Sequence, residues 1–408
     1  MDNIAGPPVE GNNFFGRQAD VQRLWSLLND HDLLLLGPRR IGKTSVARAV
    51  MLEARKAGWQ AVEINVASGV DEGAFLDKLA QAVKNERGSW VELTADRWKE
   101  HFEKIGRRIK GVKVQGPAGS ASVDLTPPES ADWTTPAGEL LHSLARTEQP
   151  WLTYIDELPI LLYHILRNDP HCGVTRVRRF LDWFRNDVRD LPGKAKVHWL
   201  ISGSVGLDTL VQQYGMADTI NSLNHQGLAP YGETEAHELL AKLADRYRIP
   251  LTLSDAQRLI DAIRWLQPYY LQLAFNLLRA RLCSTGVPLT DGIDLVLEQM
   301  LEPGSDNDFH HWEGRLSLQL GHDDAKHALV LLDHAARNPE GERPEILLEK
   351  LAERLPLHTG DDVRAKFIVL RDMLQRDAYW FPEQSSGPRR YRFCLEPLRR
   401  WWLRRRSL

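Results

Sequence analysis

The chain has 408 residues, of which 43% are hydrophobic and 26% charged, and its formal net charge is −3. These values are typical of a soluble globular protein with two or three domains, and they exclude a protein that binds nucleic acid through overall basicity. The three cysteines form no CxxC pair, the histidines lack ligand spacing for zinc, and no apolar run approaches the roughly 18 residues of a membrane span. We therefore expect a cytoplasmic protein with no membrane contact.

Strand-like and helical patterns alternate between Asp32 and Pro230. Because strands separated by helices pair in parallel, this alternation predicts an α/β fold with a doubly wound parallel sheet. One stretch interrupts it with two short β-like runs around a Gly-Pro turn, and it predicts a β-hairpin insertion within about residues 85–135. The predicted strands are 33–36, 60–66, 151–157 and 197–204.

The first strand runs directly into Gly-Pro-Arg-Arg-Ile-Gly-Lys-Thr, which matches the pattern GxxxxGK[ST] completely. Glycines allow backbone N–H groups to face an anion, and the positive end of the following helix points at the same place. We expect Lys43 to reach the β- and γ-phosphates of a nucleotide and the Thr44 hydroxyl to bind Mg²⁺. The predicted nucleotide-binding residues of this loop are Gly37, Pro38, Arg39, Arg40, Ile41, Gly42, Lys43, Thr44 and Ser45.

A pair of carboxylates, Asp156 and Glu157, ends the third predicted strand. Ligands bind at the carboxyl ends of parallel strands, so we expect Asp156 to hold Mg²⁺ and Glu157 to polarise the attacking water. The alternative pair, Asp71 and Glu72, opens a helix, where a solvent-exposed role in the first turn suits it better.

The fourth predicted strand ends in a short serine-containing turn. Either Ser202 or Ser204 could hydrogen-bond the γ-phosphate or the attacking water. Serine is also common in ordinary turns. The sequence alone therefore leaves this role open.

From about Tyr231 onward the strand-like runs stop and helical patterns follow at 234–247, 254–265 and 268–283. A polar turn cluster at 302–309 marks a second boundary. We predict a nucleotide-binding core over residues 1–230, a helical lid over 231–302, and a winged-helix-like domain over 303–408.

The last predicted domain shows three helical patterns followed by two aromatic runs around a Ser-Ser-Gly-Pro turn, which is the layout of a winged helix. Eight arginines and one acidic residue lie between Pro388 and Leu408. This basic patch favours DNA phosphate binding. Asp361, Asp362 and Asp372 on the predicted recognition helix repel phosphate, and the tryptophan pair 401–402 favours protein docking. Both interpretations stay open.

Five stretches together resemble an AAA-type P-loop ATPase, in the branch that groups the STAND signalling NTPases with the archaeal-type ATPases of prokaryotes. The stretches are FFGRQADVQRL, LLLLGPRRIGKTSVAR, YIDELP, LISGSVGL and QPYYLQLAFNLL, and they cover roughly residues 12–285. The resemblance implies ATP and Mg²⁺ as cofactors. It places Phe15, Gly16 and Arg17 beside the adenine, Ser204 at the sensor position, and Pro268 near the nucleotide.

The chain departs from the family pattern in its arginines. The lid helix QPYYLQ lacks an early arginine, and the nearest is Arg279. No arginine finger can be assigned, because Arg176, Arg178, Arg179 and Arg185 lie on a helix whose pattern is typical of a solvated face. Slow or partner-stimulated hydrolysis is therefore expected, with Lys43, Glu157 and Ser204 as its catalytic residues.

These features predict a homo-oligomeric, nucleotide-dependent switch that regulates a separate partner or effector protein, as in prokaryotic signalling or defence modules. The alternative is a DNA-binding ATPase that assembles on duplex through its winged helix. Low overall charge favours the first function, and the basic C-terminus favours the second.

Overall fold

The computed structural model of the chain describes residues 1–87, 133–190, 193–203, 206–285, 289–302, 307–383 and 389–406. The chain divides into two compact units. The first consists of Met1–Gln18, Gly37–Ser45 and Leu228–Leu408, and the second of Ala19–Leu36 and Val46–Gly227. Most of the predicted β-hairpin insertion, including the two β-like runs, lies outside the described residues.

The second unit is built on a five-stranded sheet in which all pairings are parallel. The strands lie in the order β2-β3-β4-β1-β5, so that β4 separates β1 from β3. This arrangement confirms the predicted α/β class. The strand bounds are β1 Leu33–Leu36, β2 Gln60–Asn65, β3 Trp151–Asp156, β4 Val197–Ser202 and β5 Asn224–Gly227.

Strands β3 and β4, which lie between β2 and β1, are buried at every residue. Side chains alternate between the two faces of a strand, so both faces of this part of the sheet must be covered. Ile155 pairs with Ile201, and both belong to a core shared with the helices on one face. The next residues, Asp156 and Ser202, therefore lie side by side on the opposite face, at the carboxyl end of the sheet.

Seven α-helices of the described residues surround or adjoin this sheet, and a π-helical turn at Phe184–Val188 follows the sixth. They contribute apolar stripes to the core, as amphipathic helices do. Their bounds are α1 Gln18–Leu28, α2 Lys43–Lys56, α3 Glu72–Arg87, α4 Thr134–Ala145, α5 Leu158–Asn168, α6 Gly173–Trp183 and α7 Leu207–Gln213.

The first unit is mostly helical and ends in an antiparallel hairpin and a final helix. One continuous core of buried residues runs from Tyr231 to Trp402, across the predicted lid and winged-helix segments. The helices and strands of the first unit are α8 Glu233–Tyr247, α9 Leu253–Ile263, α10 Pro268–Thr285, α11 Leu289–Met300, α12 Asn307–Arg337, α13 Pro344–Ala352, α14 Gly360–Arg376, β6 Trp380–Glu383, β7 Arg390–Phe393 and α15 Glu396–Arg406.

The long segment α12 is interrupted at Gly321, whose φ of 73° and ψ of 176° are not helical. Its amino-terminal half carries Trp312 and Arg315, which face the interior of the first unit. Within the described ranges, no helix is long and apolar enough to cross a membrane.

Candidate functional site

The phosphate loop, defined here as residues 37–44, has a backbone that turns through three residues with positive φ. These are Gly37 at 146°, Arg40 at 70° and Gly42 at 105°. A Cβ on Gly37 would lie 3.2 Å from the side chain of Ile41, so this position favours glycine on both conformational and steric grounds. Positive φ at Arg40 costs on the order of 1 kcal/mol. Strain of this kind is concentrated at ligand-binding sites.

Lys43 begins α2 and folds back over the loop that precedes it. Its Nζ donates to the carbonyl oxygens of Gly37 at 2.7 Å and Pro38 at 3.0 Å. An ammonium group and the amino-terminal end of a helix thus converge inside the loop, and both attract an anion. This donor set fits the phosphates of a nucleotide, whose oxygens can replace the two carbonyls as partners of Lys43.

The loop is also held by the start of α10 and by the amino-terminal segment. The buried Gln267 donates to the Arg39 carbonyl at 3.2 Å, and the Arg40 guanidinium lies 4.4 Å from the centre of the Tyr269 ring. The Ser45 hydroxyl accepts a hydrogen bond from the backbone N–H of Val9 at 3.0 Å. The predicted neighbour Pro268 is the first residue of α10, directly after Gln267.

The Phe15-Gly16-Arg17 motif packs against Tyr231 and contacts the phosphate loop through Arg17. The Tyr231 hydroxyl donates to the Phe15 carbonyl at 2.7 Å, and a Cβ on Gly16 would lie 2.9 Å from the Tyr231 ring. Arg17 donates to the Ile41 carbonyl at 3.2 Å and stacks over Tyr231 at 4.8 Å. The structure therefore brings together Arg17 and Ile41, which are 24 positions apart in sequence. Contact of the motif with adenine remains a prediction.

In the second unit, a short hydrogen-bonded series fixes the carboxylate at the end of β3. The Ser202 hydroxyl donates to Asp156 at 2.8 Å and lies 2.9 Å from the Tyr154 hydroxyl. Because Ser202 gives its one proton to Asp156, Tyr154 must donate to Ser202. Tyr154 and Ser202 are fully buried, and Asp156 is 8% exposed. A carboxylate held in one orientation by neighbouring groups is suited to bind a metal ion.

Glu157 follows β3 directly and adopts a left-handed conformation, with φ of 63° and ψ of 33°. It caps α5, and its carbonyl accepts the backbone N–H of Ile160. This sharp turn from strand to helix holds Glu157 at the carboxyl edge of the sheet. The candidate Ser202 contacts Asp156. Ser204 lies outside the described residues, and its predicted catalytic role stays untested.

Three of the four arginines considered for a finger role take part in ion pairs within the second unit. Arg176 contacts Glu72 at 2.6 Å, and hydrogen bonding to Glu72 raises the pKa of Arg176 against the opposing effect of burial. Arg178 and Arg185 both contact Asp218. The expectation that Glu72 is solvent-exposed was wrong. Glu72 is 4% exposed, because Arg176 neutralises it inside the fold.

The C-terminal basic patch is also extensively paired. The last helix, α15, lies against acidic residues of α11 and α12, and the arginines at its end contact them directly. The pairs are Arg404 with Glu298, Arg405 with Glu313, and Arg406 with Glu313 and Asp333. Hydrogen bonding to Asp333 raises the pKa of Arg406. These arginines already have anionic partners within the protein.

The predicted recognition helix, α14, uses several of its charges in the same way. Asp362 forms a capping box with Thr359, and Lys366 contacts Asp324 at 2.7 Å. Arg371 pairs with the adjacent Asp372. One function of Asp362 is therefore to start the helix, which the sequence pattern did not reveal.

The chain resembles solved structures of other proteins along almost its whole length, including the following two. The Walker-type ATPase PABY2304 of Pyrococcus abyssi is 12% identical, with a TM-score of 0.60 over 98% of this chain and 99% of its own. The ORC2 protein of Aeropyrum pernix, in ADPNP-ADP complexes, is 13% identical, with a TM-score of 0.54 over 98% of each chain. No protein-family model and no curated protein matches the chain.

The chain shares with these two structures the fold described above, a doubly wound α/β sheet in which a phosphate loop follows the first strand. At such low identity the comparison concerns the fold alone, and the activity has to be argued from the residues of this chain.

Proposed function

We propose that the protein binds ATP with Mg²⁺ at the phosphate loop and hydrolyses it slowly. The observation that carries the proposal is Lys43, whose ammonium group is held over a loop of three positive-φ residues at the start of α2. Each of these features serves an anion, and none is needed simply to join a strand to a helix.

The residues of the site then have distinct roles. Lys43 and the loop N–H groups bind and orient the phosphates. Thr44 and Asp156 are the proposed Mg²⁺ ligands. When bound there, the ion would neutralise negative charge on the phosphate oxygens. Glu157 orients a water molecule and accepts its proton. Phe15, Gly16, Arg17 and Pro268 are the proposed contacts of the nucleoside, and Ser204 is the proposed sensor.

Slow turnover is supported by the arginines. Among the described residues, Arg176, Arg178 and Arg185 neutralise carboxylates of their own unit, so they are poor candidates to stabilise charge on a nucleotide of a neighbouring subunit. We infer that full activity requires a group from a partner or from a second copy of the chain in a homo-oligomer.

A switch role is supported by the hydrogen bonds within the first unit. Gln267 binds the phosphate loop, Trp312 of α12 donates to Tyr270 of α10 at 3.0 Å, and Tyr379 donates to the Trp312 carbonyl. Tyr379 directly precedes β6 of the hairpin. These contacts tie the loop to the C-terminal elements, through which the protein would regulate a separate partner or effector in a prokaryotic signalling or defence module.

DNA binding through the C-terminal region is the second candidate function. It is favoured by the order of the elements there, three helical segments followed by an antiparallel hairpin. This order fits the predicted winged-helix-like domain. It is disfavoured by the ion pairs of Arg404, Arg405 and Arg406. Protein docking is therefore the function that we prefer for this region.

Hydrolysis is tested with Glu157→Gln, matched by Glu238→Gln on the exposed side of α8. Loss of a general base typically slows a reaction by about 10²–10⁴-fold. We expect that loss for Glu157→Gln, with ATP affinity unchanged, and wild-type turnover for Glu238→Gln. Phosphate release is the measurement. Wild-type turnover in Glu157→Gln would show that Glu157 is structural.

A further inference from the structure

One side of helix α14 packs into the core of the first unit, whereas its opposite side exposes two large apolar residues. Val363, Phe367 and Leu370 are buried at the spacing of an amphipathic helix. Ile368 is 42% exposed and Val369 is 58% exposed. Both are β-branched, so they are poorer helix formers than the polar residues that usually cover a helix surface. Helix stability therefore does not account for them, and adjacent apolar residues at the surface favour a site of interaction.

Several exposed polar residues lie on the same side of α14 as Ile368. Positions four and seven residues away on a helix return to the same side, because one turn takes 3.6 residues. Arg364 and Asp372 are four residues before and after Ile368. Asp361 and Gln375 are seven residues before and after it. We call this exposed side the outer face of α14, and it consists of Asp361, Arg364, Ile368, Val369, Asp372 and Gln375.

The charges of the outer face are little used inside the protein. Among the described residues, neither Asp361 nor Arg364 takes part in an ion pair. Asp372 pairs with its neighbour Arg371 at the surface. Exposed ion pairs of this kind contribute little to stability, so Asp372 can change its partner at small cost. With two aspartates and one arginine, the outer face offers no positive surface to the phosphates of duplex.

The charges of the outer face are complementary to themselves in reverse order. When two copies of α14 lie antiparallel with their Ile368 side chains in contact, Arg364 of each copy faces Asp372 of the other, because both are four residues from Ile368. Asp361 likewise faces Gln375, and two-fold symmetry forms every contact twice. A parallel arrangement would instead bring like charges together, Arg364 on Arg364 and Asp372 on Asp372. The outer face therefore fits a second copy of the chain in one orientation.

We propose that the outer face of α14 is the surface through which two copies of this chain associate about a two-fold axis. Ile368 and Val369 leave water at the centre of the contact, and the two pairs of Arg364 with Asp372 fix the antiparallel register. One helix from each copy makes a small interface, so we expect weak association, with a dissociation constant on the order of 1–100 µM. The dimer would cover the predicted recognition helix and withhold it from duplex.

Sedimentation velocity of the full chain without nucleotide tests the apolar centre of this surface. We expect wild type to pass from monomer to dimer as its concentration rises through about 1–100 µM. Ile368→Glu should weaken dimerisation by at least about 10-fold, because it places two carboxylates against each other at the two-fold axis. The matched control is Leu253→Glu, which changes a 74% exposed leucine on α9 of the same unit and should leave dimerisation at the wild-type level.

Charge reversal tests the pairing between the two copies. Arg364→Asp and Asp372→Arg each bring like charges into contact, so each single variant should weaken dimerisation on the order of 10-fold. The double variant restores opposite charges with their positions exchanged, and its dissociation constant should return to within about 3-fold of wild type. Melting temperatures show whether each variant is folded.

A wild type that stays monomeric across this concentration range would overturn the proposal, whether duplex or a separate protein is then found to bind the outer face. A dimer that is unchanged in Ile368→Glu would overturn the assignment to this surface. A double variant as weak as both single variants would overturn the antiparallel pairing. Should Ile368→Glu fail to fold, the charge-reversal variants decide. Because no nucleotide is present, a failure to bind ATP would end the proposed ATPase function and leave this result unaffected.

Discussion

The phosphate loop and the C-terminal helix α15 both concentrate arginines, but the two regions use them differently. Around the loop, Arg39, Arg40 and Arg315 line a cavity whose described lining contains no carboxylate. On α15, Arg399 makes two hydrogen bonds to Glu396, and the arginines at the end of the helix contact acidic residues of α11 and α12. The first set faces a cavity, whereas the second set is mainly neutralised by carboxylates of the protein.

The comparison shows that the density of arginines in a sequence does not by itself indicate an anion site. The decisive quantity is the number of carboxylates that the fold brings to the same place. Arg399 illustrates how a nearby carboxylate neutralises an arginine, because Glu396 is one helical turn away and both side chains are buried. A segment that looks strongly basic can therefore be a structural element held by ion pairs.

The largest expected effect is a loss of folding stability when Glu396, the buried partner of the α15 arginines, is replaced by glutamine (Glu396→Gln). Glu396 contacts Arg399, Arg400 and Arg264. Removing one partner of a buried ion pair leaves an uncompensated charge, so we expect a loss on the order of 3 kcal/mol in the free energy of unfolding. The matched control is Glu298→Gln, an exposed partner of Arg404, which should lose less than about 1 kcal/mol. Urea unfolding measures both.

The loss of stability in Glu396→Gln should also depend on pH. Burial alone would raise the pKa of Glu396, but hydrogen bonding and charge from Arg399, with the charge of Arg264, hold it below its ordinary value of 4.5. A lowered carboxyl pKa stabilises the fold above the ordinary value, and this is lost as the pH falls through the folded-state pKa. The difference between wild type and Glu396→Gln should therefore shrink below pH 4.5. A difference that stays constant in acid would contradict the ion pair.

A smaller effect is expected from replacing Arg404, Arg405 and Arg406 together by alanine. Each phosphate contact on duplex contributes about −0.9 to the log–log dependence of affinity on salt. Because these arginines have carboxylate partners, we expect the slope to change by less than about one unit, and ATP binding to be unchanged. Titration of labelled duplex at several salt concentrations is the measurement. A change of about two to three units would establish the helix as a DNA contact.

The central strands and most helices could be predicted because each carries its own local pattern. The apolar runs of β1, β3 and β4 are buried on both faces, and the phosphate loop is a contiguous motif. The edge strand β5 was missed. Its sequence Asn-His-Gln-Gly is polar and alternates between half-buried and exposed residues, so it has no hydrophobic run to recognise.

The missed site residues have a different cause, since their partners lie far away in sequence. Gln267 binds the carbonyl of Arg39, 228 positions earlier, and Tyr231 binds that of Phe15, 216 positions earlier. Such contacts arise from tertiary packing, and a single sequence contains no periodicity or spacing that indicates them. Conversely, the acidic partners of the C-terminal arginines were visible in the sequence but could not be assigned to them.

The most direct test of the central claim is the affinity of the protein for ATP and Mg²⁺, measured by calorimetry on wild type, Lys43→Ala and Lys56→Ala. Lys56 lies at the other end of the same helix and is paired with Glu53 in an exposed position. If the phosphate loop holds the nucleotide, wild type and Lys56→Ala bind ATP equally, and Lys43→Ala shows no binding heat. Equal binding by all three proteins would contradict the account.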